Sequence, residues 1–197
     1  MNKNRQSIRL RKYDYSKAGA YFVTICTQNK KCFWGNMVND EMVLNDAGRM
    51  LESVWSELPE RFPHVKLGEF VIMPNHFHGI VIFCRGESCI RPCIESCIRP
   101  KTGESKGEHA KGEHKVRPYG TFPNTLGRIM QAFKSITTNR YIAGVKQKQW
   151  PPFPGKLWQR NYYEHIVRDE NELNDIRKYI MDNPRKWDLD RENPNAW

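Results

Sequence analysis

Two rhythms alternate along the first half of the chain. Ala20 to Gln28 (A-Y-F-V-T-I-C-T-Q) is rich in β-branched and aromatic residues and predicts a strand. Cys32 to Asn36 and Met42 to Leu44 predict a short hairpin excursion with its turn at Gly35-Asn36. Asn45-Asp46 then offers an N-cap to a helix whose apolar positions Met50, Leu51, Val54, Trp55 and Leu58 fall on one helical face, and Pro59 and Pro63 end it. Strand patterning returns in Val65 to Met73 and, after Pro74-Asn75, in His76 to Cys84. Gly79 marks a place where a close backbone approach is tolerable.

Arg85 to Arg117 breaks the pattern. S-C-I-R-P occurs at Ser88 to Pro92 and again at Ser96 to Pro100, and K-G-E-H occurs at Lys106 to His109 and at Lys111 to His114. Tandem units poor in large apolar residues read as a low-complexity insertion, outside the fold. Helical spacing resumes after Asn124 or Thr125, with Leu126, Ile129, Met130, Phe133 and Ile136 on one face and an end near Gly144. A Pro-rich loop follows at Trp150 to Gly155, then a short strand within Lys156 to His165. Asp169-Glu170-Asn171-Glu172 is a capping box for a last helix, Leu173 to Asp182, stopped by Asn183-Pro184. Strand–helix–strand–strand–helix–strand–helix alternates too little for a doubly wound sheet. It predicts an α+β class: a single domain over residues 1–197, built as an antiparallel sheet with helices on one face.

Charge changes the picture. The 197 residues carry a net charge of +10, and the bases cluster. Leu126 to Arg168 holds eight, among them Arg128, Lys134, Arg140, Lys156 and Arg160, against the single acid Glu164; the first seventeen residues hold six against Asp14. Tyr162, Tyr163, Trp158 and Phe133 lie among the bases. Cations interleaved with stacking surfaces suit single-stranded nucleic acid, and a solubilising cationic surface is the rival reading. Met1 to Lys12 is basic without an apolar stretch and no run reaches transmembrane length, so a cytoplasmic location without a membrane partner is expected. The six cysteines lack C-x-x-C spacing and read as reduced thiols.

The chemistry concentrates in two places. In His76-Phe77-His78 a strand puts both imidazoles on one face, about 7 Å apart, and Phe77 on the other. Such a pair either converges on a metal ion or consists of half-buried strand histidines satisfied by hydrogen bonds. On the last helix Tyr179 and Asn183 share a face. Were that helix to pack near the histidine strand, two imidazoles and an amide oxygen would suit Mg²⁺ or Mn²⁺ and leave positions open for phosphate oxygens. Tyr179 would then attack a polarised phosphate to give a phosphotyrosine bond and a free 3′-hydroxyl. Rival readings remain at each position: a packing role for Tyr179, Tyr162 or Tyr163 as nucleophile, and a plain helix cap for Asn183.

V-I-M-P-N-H-F-H-G-I-V (Val71 to Val81) and L-N-D-I-R-K-Y-I-M-D-N-P (Leu173 to Pro184) resemble the two signature segments of the IS200-like, single-tyrosine HUH transposases, above all their REP-associated branch. L-W-Q-R-N-Y-Y-E-H (Leu157 to His165) is similar to the segment preceding the catalytic helix there. The resemblance covers a core of about residues 20–84 and 119–187. It implies a ferredoxin-like sheet plus a C-terminal catalytic helix, with Tyr179 as nucleophile, His76, His78 and Asn183 as metal ligands, and Mg²⁺ or Mn²⁺ as cofactor. Asn183 stands where many relatives carry Gln. Single-stranded or hairpin DNA is the implied partner, cleaved and rejoined through a 5′-phosphotyrosine. IS200-like relatives are homodimers that swap the tyrosine helix, whereas REP-associated ones can act as monomers. Lys146 to Lys156 is where a swap would hinge. A domesticated hairpin-binding protein and a phosphoesterase using water are the competing functions.

Overall fold

The computed structural model describes residues 18–84 and 125–196. The basic N-terminal segment, the tandem-repeat insertion and Cys89, Cys93 and Cys97 lie outside the described residues. Four strands, β1 (Gly19–Cys26), β4 (Val65–Ile72), β5 (His76–Phe83) and β6 (Tyr163–Val167), form one antiparallel sheet in the order β4-β5-β1-β6. β2 (Gly35–Val38) and β3 (Glu41–Leu44) form a separate ribbon. The helices are α1 (Asp46–Ser56), the single turn α2 (Leu58–Arg61), α3 (Leu126–Lys148) and α4 (Glu170–Asp182). The predicted α+β class with a ferredoxin-like antiparallel sheet is what the structure contains.

The strand period sorts side chains onto two faces. Tyr21, Val23 and Ile25 of β1 and Phe77, Val81 and Phe83 of β5 face α1 and α3 and make the main core with Leu51, Val54, Trp55, Ile129, Met130 and Phe133. Aromatic contacts dominate there: Trp55 lies 4.5 Å from Phe77 and 5.4 Å from Phe133 between ring centroids. Ala20, Phe22, Ile80 and Ile82 point to the other face, where Leu173 and Ile180 of α4 cover them. The sheet therefore has helices on both faces, and α4 covers the second.

The first helix ends at Ser56, and Pro59 opens the separate turn α2, where its missing N–H is not needed. Local chemistry also accounts for the departures at the ribbon turn and at the end of α3. The ribbon turns at Asn39-Asp40, both left-handed (φ 49° and 62°), and not at Gly35-Asn36. Asn and Asp tolerate that region, which a type I′ hairpin turn requires at both central residues. α3 runs past Gly144 to Lys148, because that glycine seats the indole of Trp150; a Cβ there would sit 2.1 Å from the ring. Gln149 in a left-handed conformation then ends the helix. The last strand starts at Tyr163 and runs to Val167, and α4 starts at Glu170, capped by Asp169 accepting from the Glu172 N–H at 2.9 Å.

Gly79 is where β5 admits the core. A Cβ at this position would come within 2.7 Å of both the Trp55 indole and the Phe77 ring, neither of which has room to retreat. Gly79→Ala should therefore lower unfolding free energy by about 1–3 kcal/mol, the usual cost of overpacking. Urea denaturation measures it, and an unchanged midpoint would mean that the aromatic layer yields freely.

Candidate active site

Register brings the predicted residues together. β1 and β5 pair with Thr24 opposite His78 and Cys26 opposite His76, while β6 sets Tyr163 opposite Thr24. Cross-strand partners share a face, so both histidines lie on the α4 side of the sheet. Leu173, Ile176 and Ile180 pack α4 onto that side, and the adjoining stripe of the helix carries Tyr179 and Asn183 toward the histidines. Arg177 ties the helix to β4 through Glu69, at 3.0 Å. Glu69 sits in the irregular pairing between Leu67 and Phe70.

The imidazoles converge more than ideal strand spacing requires. Their ring centroids are 4.7 Å apart and nearly perpendicular. Each has its Nδ1 engaged: His76 with Asn75 Oδ1 at 2.9 Å, His78 with Thr24 Oγ1 at 2.8 Å. Asn75 Nδ2 donates to the carbonyls of Lys30 and Glu192, so its Oδ1 faces His76 and requires a proton on Nδ1. Nε2 of His76 is thereby left as a bare lone pair, buried without a hydrogen-bond partner. His78 Nε2 faces the Tyr179 hydroxyl at 3.5 Å. Phe22 braces both groups, stacked on His78 at 5.4 Å and edge-on to Tyr179 at 5.9 Å.

Burial sets the protonation states. His76 and His78 are 0% and 4% exposed, and desolvation pushes each imidazole down to about 3. For His78 the charge of His76 adds to this and Asp190 opposes it; for His76 the amide of Asn183 opposes it. Both are neutral at physiological pH, the form that binds metals. Burial also raises the Tyr179 phenol above its ordinary value; Asn183 works against this, while Asp190, Cys26 and Glu192 reinforce it. The hydroxyl thus stays protonated unless a positive charge arrives beside it.

Asn183 is 3% exposed and its Oδ1 is buried without a hydrogen-bond partner. Beyond α4 the chain passes through a 3₁₀ segment, Pro184–Leu189, in which Trp187 stacks on His76 at 6.0 Å. It then delivers Asp190, whose Oδ2 lies 3.6 Å from His76 Nε2. His76, His78 and Asp190 form a group that could hold a metal ion, with ligand atoms all within 4.8 Å of one another. The donors fit a hard divalent cation: two imidazole lone pairs and one or two oxygens, buried and short of hydrogen bonds.

Tyr179 stands 44% exposed at the wall of a cleft of about 1200 Å³, which Tyr162, Tyr163 and His165 also line. The basic residues singled out from sequence are not gathered there. Arg140 forms a two-pronged pair with Glu57 at 2.6–2.7 Å on the α1–α3 side. Lys134 donates to the carbonyls of Gln159 and Asn161 and lies over the Tyr162 ring. Arg128 bonds Gln131, and Lys156 and Arg160 are exposed in and beside the Pro-rich loop. The cations in the cleft are Lys30, Lys186 and Arg191, which no local motif marks. Thr24 and Asp190 were equally illegible, since only pairing register and the path of the C-terminal segment bring them here. Asn75 directly precedes His76, and its role emerges only from its three side-chain hydrogen bonds. Among the described residues Cys26, Cys32 and Cys84 take part in no disulfide, and no helix is long and apolar enough to cross a membrane.

The fold is similar to that of a REP-associated tyrosine transposase solved in complex with a REP hairpin. The two superpose with a TM-score of 0.53 at 16% identity, over 94% of this chain and 74% of that one. No protein-family model matches the chain. It is 37% identical over 191 residues to an uncharacterized protein of Haemophilus influenzae, spanning 95% of this chain and 92% of that protein, and belongs to the same family.

The sign of the histidine shifts fixes a pH dependence. In the unfolded chain an imidazole takes up a proton near its ordinary value of 6.5, while in the fold it does so only near 3. The unfolded state therefore binds more protons between these values, and stability falls as pH drops through that window. At pH 5 the expected loss is about 2 kcal/mol for each histidine, relative to pH 7.5, in EDTA-treated protein. Urea midpoints at the two pH values measure it. A loss equally large in the His76→Gln/His78→Gln double variant would assign the effect to other groups.

Proposed function

We propose that the protein is a divalent-metal-dependent nuclease and strand transferase acting on single-stranded DNA beside hairpins, through a covalent 5′-phosphotyrosine at Tyr179. The observation that carries this reading is the approach of the Tyr179 hydroxyl to within 3.5 Å of His78 Nε2, beside a second neutral imidazole and at the wall of an open cleft. The shared fold with a transposase solved on a REP hairpin supports DNA as the class of substrate.

Mg²⁺ or Mn²⁺ held by His76 and His78, with oxygen from Asn183 or Asp190, would supply Lewis acidity toward the scissile phosphate. The chain's own groups do the rest. Phe22 and Ile180 fix the position of Tyr179, so that its oxygen meets the phosphorus from a defined side. As the tyrosyl O–P bond forms, the P–O3′ bond breaks; the phenol gives up its proton and the leaving oxygen gains one as a 3′-hydroxyl. One phosphoester replaces another, so a second 3′-hydroxyl can reverse the step without ATP. Tyr162 and Tyr163 offer stacking faces in the same cleft for unpaired bases. Asn183 is well placed to steady Tyr179, since its amide favours the phenolate.

Tyr179→Phe should abolish the covalent adduct with a labelled single-stranded hairpin in Mn²⁺, while hairpin affinity stays within about 1 kcal/mol. A denaturing gel reads the adduct and a filter-binding titration reads the affinity. An adduct that survives in Tyr179→Phe but vanishes in Tyr162→Phe or Tyr163→Phe would move the nucleophile. Hairpin retention by wild type with no cleavage would leave a binding protein in place of an enzyme, and cleavage with no adduct would leave a water-using phosphoesterase.

A further inference from the structure

We propose that Asp190, delivered by the segment after α4, is the carboxylate ligand of the metal site, with Asn75 as the residue that positions it. This rests on His76 and His78 being a metal pair. The hydrogen bonds around Asn75 leave His76 Nε2 as a lone pair, and that lone pair faces the Asp190 Oδ2 at 3.6 Å. Two acceptors turned toward each other in a buried place repel unless a positive charge lies between them. Asp190 Oδ1 already accepts from the Glu192 N–H at 2.7 Å, so Oδ2 is the oxygen left for a cation. Asn183 Oδ1, buried and without a hydrogen-bond partner, adds a further acceptor beside His76.

The spacing agrees. Donors about 2.1 Å from a shared six-coordinate ion lie about 3 Å apart when adjacent and about 4.2 Å apart when opposed. The observed 3.6 Å, and an upper limit of 4.8 Å for the whole group, are within a fraction of an ångström of that range. Asp190 is also held in place independently of any ion. Asn75 Nδ2 grips the Glu192 carbonyl at 2.6 Å, and Lys30 Nζ donates to the Arg191 carbonyl and pairs with the Glu192 carboxylate at 3.7 Å. Asn75 thus touches both sides of the site, orienting His76 with its oxygen and the Asp190 segment with its nitrogen. A carboxylate is the stronger donor for Mg²⁺ or Mn²⁺, and an anionic ligand lowers the charge of the loaded site by one. Asn183 then serves as the weaker oxygen.

Isothermal titration of EDTA-stripped full-length protein with Mn²⁺ tests this without recourse to cleavage. Asp190→Asn keeps the side chain's shape and the oxygen that accepts from Glu192, and should weaken Mn²⁺ binding at least tenfold. Asn183→Ala should weaken it less than Asp190→Asn does. Asp190→Ala, which lacks the side-chain carboxylate altogether, should match Asp190→Asn and guards against a local artefact of the amide. Asn75→Ala should fall between wild type and Asp190→Asn, and Asn75→Asp, which keeps the oxygen toward His76 but loses both Nδ2 bonds, should not restore it. Asp190→Asn binding Mn²⁺ within twofold of wild type while His76→Ala loses it would overturn the ligand role of Asp190 and leave the proposed function standing. Undiminished binding in His76→Ala as well would overturn the metal pair itself.

Discussion

The pairing of β1 with β5 is the constraint on which the rest depends. It places Thr24 beside His78 and Cys26 beside His76, and it sends Phe77 into the aromatic core on the opposite face. A slip of one residue would exchange the two faces, burying imidazoles under α1 and α3 and exposing Phe77 to α4. The core thus protects the register, and the register protects the site. Gly79 belongs to both, since its missing side chain lets Trp55 and Phe77 close the core directly beneath the histidine face.

Burial gives the site its electrostatic character. Both imidazoles are too desolvated to hold a proton at physiological pH, and the phenol is too desolvated, with carboxylates too near, to lose one. The arrangement is inert by itself and responsive to a cation, because a single positive charge at the Nε2 atoms would favour the tyrosinate and satisfy the unpaired acceptors together. The C-terminal segment contributes to the same balance: Asp190 and Glu192 bring negative charge to the cleft, and Lys30 and Asn75 hold them there.

The strand and helix rhythms were readable because each element has one buried face. α1, β5 and α4 carry their apolar residues at the period their geometry demands, and the capping residues Asn45, Thr125 and Asp169 all hydrogen-bond as their types suggest. His76, His78, Tyr179 and Asn183 were legible as pairs at strand and helix spacing, and the structure brings the two pairs into one place. What the pattern did not carry was anything set by tertiary path. α4 crosses to the far face of the sheet, a choice made by Leu173 and Ile180 meeting Ile80 and Ile82, and sequence spacing has no term for it. Asp190 follows a 3₁₀ segment without periodicity. Arg140 looks like a free base in sequence, yet it is neutralised by Glu57, 83 residues away.

A covalent bond from the Tyr179 oxygen to DNA, as proposed, is open to direct measurement. Mass spectrometry on the tryptic peptides of protein reacted with a single-stranded hairpin in Mn²⁺, then trimmed with nuclease, reads that link directly. The expected result is a nucleotide mass on the peptide Tyr179–Arg185, with fragmentation assigning it to the tyrosine. The same mass on Asn161–Arg168, which holds Tyr162 and Tyr163, would contradict it.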